Sequence, residues 1–235
     1  METITLTQKL QNGWGERYIP YIYKKLKEKH GLTETQCKME RSEGKSELVF
    51  LKKDGCFSRL KRFADEYVSD ILAIGYKYDF FKTALTLPLL DEEEKFLLRV
   101  ALVGADYFDD KKFVLRRLSG LQNCSLDGVY NFRLNELKAR WQGVAEYIPK
   151  DFGRYSLESF LDYLIEDGEN RAYLKNGKAY DENYRVLDKS EVLGEPSLIA
   201  ELLLYGAGQV YCFGETDEAT ACFLRKFYKE KAVFC

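Results

Sequence analysis

Two groups of cations carry most of the chemistry that the residue types of this 235-residue chain offer. Lys111, Lys112, Arg116 and Arg117 crowd one short segment, and Arg133, Lys138 and Arg140 lie on the next. Several Lys and Arg side chains on adjacent helices can hold phosphate or an acidic partner through charge-assisted hydrogen bonds. The same residues can instead pair with Asp109, Asp110 and the run Asp91-Glu92-Glu93-Glu94, or solvate the surface. Arg133 stands apart between two apolar neighbours, Phe132 and Leu134. There its stem is expected to be partly buried, with the guanidinium held by a carboxylate or by helix-end carbonyls.

Other chemistries find little to work with. The chain has one histidine, His30, within a basic run at a helix end, where it reads as a surface or capping residue. Ser–His and Cys–His catalysis therefore lack a visible base. Six cysteines, at 37, 56, 124, 212, 222 and 235, show no C-x-x-C spacing. They read as reduced, mostly buried thiols, with no metal and no cofactor expected. Gly206-Ala207-Gly208 follows an expected helix rather than a strand and lacks the third glycine of a dinucleotide loop, and no P-loop pattern occurs. Asp91 to Glu94 precede Phe96, Leu97 and Val100, the signature of a capping box rather than an acid–base pair.

The elements that must position the cations are mainly helical. Leu126, Tyr130, Leu134, Leu137, Trp141, Val144 and Ile148 alternate in spacings of four and three, which predicts one long helix with Ser125 as its N-cap. Gly128 inside it costs about 1 kcal/mol relative to Ala. A second stripe, from Phe57 through Leu60, Ala64, Tyr67, Ile71 and Ile74 to Tyr78, predicts another long helix, and a shorter one spans 111–118. At the N-terminus the expectation is a helix over 18–29 stopped by Gly31, then a hairpin of strands 36–40 and 47–51 around Ser42-Glu43-Gly44-Lys45. After a helix capped by Ser156, Asn176-Gly177 predicts a type I′ hairpin between 172–174 and 179–180, with a third strand within 184–187. Pro196 suits the first turn of a helix ending at Gly206 or Gly208. Strand 209–213, helix 218–229 and strand 232–235 close the chain, a spacing compatible with parallel pairing.

Several of these blocks resemble the YtxC-like sporulation proteins of spore-forming bacteria. The resemblance rests on SLDGVYNFRLNELKARWQGVAEYI at 125–148, EYVSDILAIGYKYD at 66–79 with the acidic run after it, SLESFLDYLI at 156–165, and the tail blocks GEPSLIAELLLYGAGQVYCF and FLRKFYKEKAVFC. It spans roughly residue 60 onward and implies a sporulation association without naming a chemistry. The family's tail carries clustered cysteines, whereas Cys235 has no partner close in sequence, so no metal or redox role carries over.

A net charge of -2 gives no global attraction to nucleic acid or anionic membranes. No stretch is long and apolar enough for a membrane span, and METITLTQKLQNGWGERY lacks the pattern of a secretory signal, so the expected location is the cytoplasm. The expected architecture is a mainly α-helical α+β protein with three successive segments, possible parts of one domain: an N-terminal hairpin region (1–55), a helical core (56–168) and a C-terminal strand-containing lobe (169–235). The leading expectation for function is binding of an unknown protein partner without catalysis, with Lys112, Arg116, Arg117, Arg133, Lys138 and Arg140 as candidate contacts. The alternatives are a nucleic-acid-binding module using the basic helices 111–117 and 133–140, and an enzyme of unrecognised type.

Overall fold

The computed structural model describes residues 3–9, 17–33, 36–42, 44–51 and 57–235. In chain order its elements are β1 (Thr3–Lys9), α1 (Tyr18–His30), β2 (Cys37–Ser42), β3 (Lys45–Leu51), α2 (Phe57–Asp70), α3 (Lys77–Ala84), α4 (Glu92–Ala105), α5 (Tyr107–Leu118), β4 (Asn123–Ser125), α6 (Leu126–Arg133) and α7 (Asn135–Tyr147). They continue with α8 (Arg154–Asp167), β5 (Asn170–Lys175), β6 (Lys178–Tyr180), β7 (Val186–Leu187), α9 (Leu198–Tyr205), β8 (Ala207–Phe213), α10 (Glu218–Phe223) and β9 (Ala232–Phe234). The protein is α+β, with helix predominating over strand. Its residues group into two compact units, each discontinuous in sequence: Met1–Tyr76 with Asp109–Arg140, and Lys77–Phe108 with Trp141–Cys235.

In the first unit the expected hairpin β2–β3 is present, but it belongs to a four-stranded sheet in the order β2-β3-β1-β4. The chain begins this unit with a strand, not with the helix expected at the N-terminus. β1 alternates, burying Ile4, Leu6 and Gln8 on one face opposite Phe50, Leu48 and Ser46 of antiparallel β3. β4 joins β1 in parallel, pairing Leu6 with Cys124. Glu43 of the hairpin connection and Cys56 lie outside the described residues. α1 packs on the sheet through Tyr18, Ile19, Ile22 and Leu26 and ends at Gly31, whose positive φ of 63° supplies the left-handed cap.

α2 does not run unbroken through the second stripe. Residues Ile71–Tyr76 form a wider π-helical turn, buried from Ile71 through Gly75. A Cβ on Gly75 would stand 2.5 Å from the Tyr18 hydroxyl, so glycine is what lets that ring close on the turn. The π turn sets Tyr76 against Tyr18 and Tyr130, and its hydroxyl donates to Asp127.

The predicted long helix over 125–148 is two helices. Ser125 caps α6 as expected, its Oγ accepting from Gly128 N. The glycine has a local reason: a Cβ there would crowd Ser125 at 3.2 Å. At Leu134 the backbone leaves the helical region (φ -109°, ψ 22°), its carbonyl accepts from Lys138 N, and α7 begins. Leu126, Leu134, Leu137 and Trp141 are nonetheless all buried, because burial tracks the three–four spacing on either side of the break.

In the second unit Asp91 and Glu94 form the expected reciprocal capping box of α4. α8 starts at Arg154 with Gly153 before it, so Ser156 lies inside the helix rather than capping it. Pro196 likewise precedes the cap: Ser197 Oγ accepts from Ala200 N, and α9 ends at Gly206 with φ 67°. The sheet order is β7-β6-β5-β8-β9, with β5–β8 and β8–β9 parallel. Asn176 and Gly177 both take positive φ, as a type I′ turn requires. The helix expected over 218–229 is α10 followed by a π turn at Leu224–Tyr228. Glycines set the closest approaches in this unit. A Cβ on Gly104 would stand 2.3 Å from Leu203 O, and one on Gly208 would stand 1.8 Å from Gly168 O. The Gly206-Ala207-Gly208 run is thus a helix cap and a packing contact. No described helix is long and apolar enough to cross a membrane.

Candidate functional site

Lys112, Phe113, Arg116 and Arg117 fall three, four and five residues apart on α5, so one flank of the helix gathers three cations around a ring. α7 adds Glu136 and Arg140, one turn apart. Arg117, Arg140 and Arg116 place their guanidinium carbons 4.9, 5.3 and 5.8 Å from the Phe113 ring centroid. Each such contact contributes about 0.5–1 kcal/mol at an exposed site. Beside the ring lies an open groove of about 790 Å³, bordered by Asp109, Lys112, Phe113, Arg116, Glu136 and Arg140.

Acidic residues thread this cluster. Arg117 reaches Glu136 at 2.9 Å, Lys112 reaches Asp109 at 3.4 Å, and Arg140 lies 3.9 Å from buried Asp110. Lys111 turns away and bridges Glu66 and Asp70, each at 2.8 Å. The acidic run expected as a partner is engaged elsewhere: Asp91 and Glu94 in the capping box, Glu92 with Lys95, and Glu94 with Arg154. Arg116 is exposed and forms no ion pair among the described residues; its contact is the Phe113 ring.

Of the six cations expected as contacts, Lys112, Arg116 and Arg140 border the groove and Arg117 shares its ring. The other two stand outside it. Lys138 lies over Tyr130 at 5.0 Å and donates to Asn131 O, closing an orphan carbonyl near the end of α6. Arg133 is exposed, contrary to the expected partial burial, because the break at Leu134 turns its side chain to solvent while Leu134 goes inward. Phe113 was not singled out in the sequence. Its signal was present in the spacing, three and four residues before Arg116 and Arg117.

The groups that burial perturbs most sit in the interior. Burial pushes the Cys37 thiol up to about 12 and the Cys124 thiol up to about 11, which leaves both protonated and unreactive. Glu201 is buried with its carboxyl raised by desolvation, and it accepts from Lys189 N, Ser190 N and Ser190 Oγ, pinning the turn Ser190–Leu193. His30 is half-buried in the last turn of α1, in keeping with the expected helix-end position. It stacks on Phe63 at 3.6 Å, and its Nε2 meets the Tyr67 hydroxyl at 2.9 Å.

Charge divides unevenly between the units. The first holds 21 Lys and Arg against 15 Asp and Glu, net +6; the second holds 15 against 23, net -8. The groove therefore belongs to the basic unit. No protein-family model, curated protein or solved structure matches this chain.

Proposed function

We propose that this protein acts by binding, and that the Phe113 groove takes an acidic segment of a protein partner. The observation that carries this reading is the convergence of Arg116, Arg117 and Arg140 on one ring within a unit of net charge +6. Exposed ion pairs contribute about 0–1 kcal/mol, so a partner carboxylate can replace Glu136 or Asp109 at little cost. Until then those acids hold the guanidinium groups in place. Phe113 offers an apolar contact beside the charges, which suits a segment alternating acidic and apolar side chains. The resemblance to YtxC-like sporulation proteins adds an association with spore formation to this reading.

Fluorescence anisotropy with a labelled eight-residue peptide of alternating Glu and Phe tests the reading. Wild type is expected to bind it in a salt-sensitive manner, and Arg116→Glu/Arg140→Gln to bind at least about tenfold more weakly. Equal binding by the two proteins contradicts it. Tighter binding of duplex DNA than of peptide, lost in the same variant, gives the groove to nucleic acid instead.

A further inference from the structure

The second unit carries an aromatic surface that the groove does not use. On its five-stranded sheet Ala172, Leu174, Ala179, Val210 and Cys212 face inward and are buried. The alternate residues therefore line the other face. There Tyr173 pairs across the strands with Tyr180 and with Tyr211. Its ring stacks nearly parallel with Tyr184 at 5.0 Å, Tyr211 at 5.5 Å and Phe213 at 6.3 Å. Tyr184 at one side of this column is 69% exposed and Phe213 is 39% exposed, so ring surface remains open to a ligand.

Cations flank the column without acidic partners. Arg171, Lys175, Lys178 and Arg185 are exposed and form no ion pair among the described residues. This contrasts with the groove of the first unit, where three of four cations are paired. The neighbouring acids are already engaged by backbone: Asp181 accepts from Asn183 N and Arg185 N, and Glu182 accepts from Arg171 N. Lys175 and Lys178 stand directly opposite each other beside the Asn176-Gly177 turn. Like charges in that position destabilise a hairpin, and an anion bound between them would relieve the repulsion.

We propose that this face binds a short single-stranded nucleic acid, its bases stacking on Tyr184 and Phe213 and its phosphates meeting Arg171, Lys175, Lys178 and Arg185. Stacked aromatic side chains accept any base, and flanking cations follow the backbone. The net charge of -8 on this unit opposes a long polyanion. Screening beyond about 8 Å at physiological ionic strength leaves the local cations in control of a short strand lying on the face.

The test is anisotropy of a labelled eight-nucleotide oligouridylate with the full chain, against a duplex of equal length. Binding is expected to be single-strand selective and to weaken about 50-fold between 50 and 200 mM salt, as for about four neutralised phosphates. Tyr184→Asn removes the ring while suiting the left-handed backbone at φ 57°, and it should weaken binding about tenfold. Lys178→Glu should weaken binding too, yet raise the thermal midpoint, because an opposed like-charge pair becomes an ion pair. Arg116→Glu/Arg140→Gln should bind as wild type does. Absence of binding at 50 mM salt, duplex affinity equal to single-strand affinity, or full binding by Tyr184→Asn overturns the proposal. Loss confined to Arg116→Glu/Arg140→Gln overturns it as well, by assigning the strand to the groove.

Discussion

At the scale of single residues, environment decides what each polar group does. His30 is the chain's one histidine, so any imidazole-linked change in stability belongs to it. Burial first, then the charges of Arg59 and Lys29, lower its pKa from the ordinary 6.5. The folded state thus favours the neutral ring, and its contribution is full above about 6.5 and is lost as pH falls through the lowered value. Urea midpoints measured between pH 7.5 and 5.5 should fall more for wild type than for His30→Phe, which keeps the stack on Phe63 and cannot be protonated. Parallel profiles would remove His30 as the cause. Ser46 is fully buried, with an Oγ that has no hydrogen-bond partner among the described residues, opposite Gln8, whose Oε1 is in the same condition. Ser46→Ala removes an unsatisfied hydroxyl and should leave thermal stability unchanged or raised. A loss above about 1 kcal/mol would mean that the hydroxyl is satisfied in solution, for instance by a buried water. The Lys and Arg content of the site was legible from clustering alone. Arg133 was misjudged because two apolar flanks look alike whether the chain continues as helix or turns.

At the scale of elements, the three–four stripe located the interior while missing where helices break. Trp141 is 1% exposed, with Phe80 at 5.8 Å between ring centroids. Trp141→Ala should cost about 3–5 kcal/mol by chemical denaturation, and a neutral effect would contradict its place in the core. Glycines give a sharper contrast. Gly208→Ala drives a Cβ into Gly168 O, so backbone must shift and stability should drop steeply. Gly143→Ala meets nothing within 4 Å inside α7 and should stabilise by about 0.5–1 kcal/mol. Equal effects of the two substitutions would refute the packing argument. The caps and turn at Asp91, Gly31, Ser125 and Asn176-Gly177 were legible because they act on their own neighbours, whereas Ser156 and Pro196 were misplaced relative to the true caps Gly153 and Ser197. The π turns at Ile71–Tyr76 and Leu224–Tyr228 were not, since neither carries a proline or a residue that alone demands the wider ring. β1 and β4 were missed for another reason. Their pairing joins segments more than a hundred residues apart, and β4 is three residues long.

At the scale of the whole molecule, mainly helical α+β architecture followed from periodicity and turn chemistry. The grouping of Asp109–Arg140 with the N-terminal sheet depends on long-range contacts that no local pattern encodes. That grouping is what reveals the charge contrast: an overall net charge of -2 conceals units of +6 and -8. The central claim is that the basic unit recognises carboxylates through the Phe113 groove. The most direct test is a double-mutant cycle, titrating the Glu–Phe peptide and its Gln–Phe counterpart into wild type and into Arg116→Glu/Arg140→Gln. Thermal midpoints are recorded alongside and should stay within about 2 °C of each other. The account predicts that replacing Glu by Gln weakens binding about tenfold in wild type and has little effect in the variant. An equal ratio in both proteins would show that the carboxylates do not meet Arg116 and Arg140, and the account would be wrong.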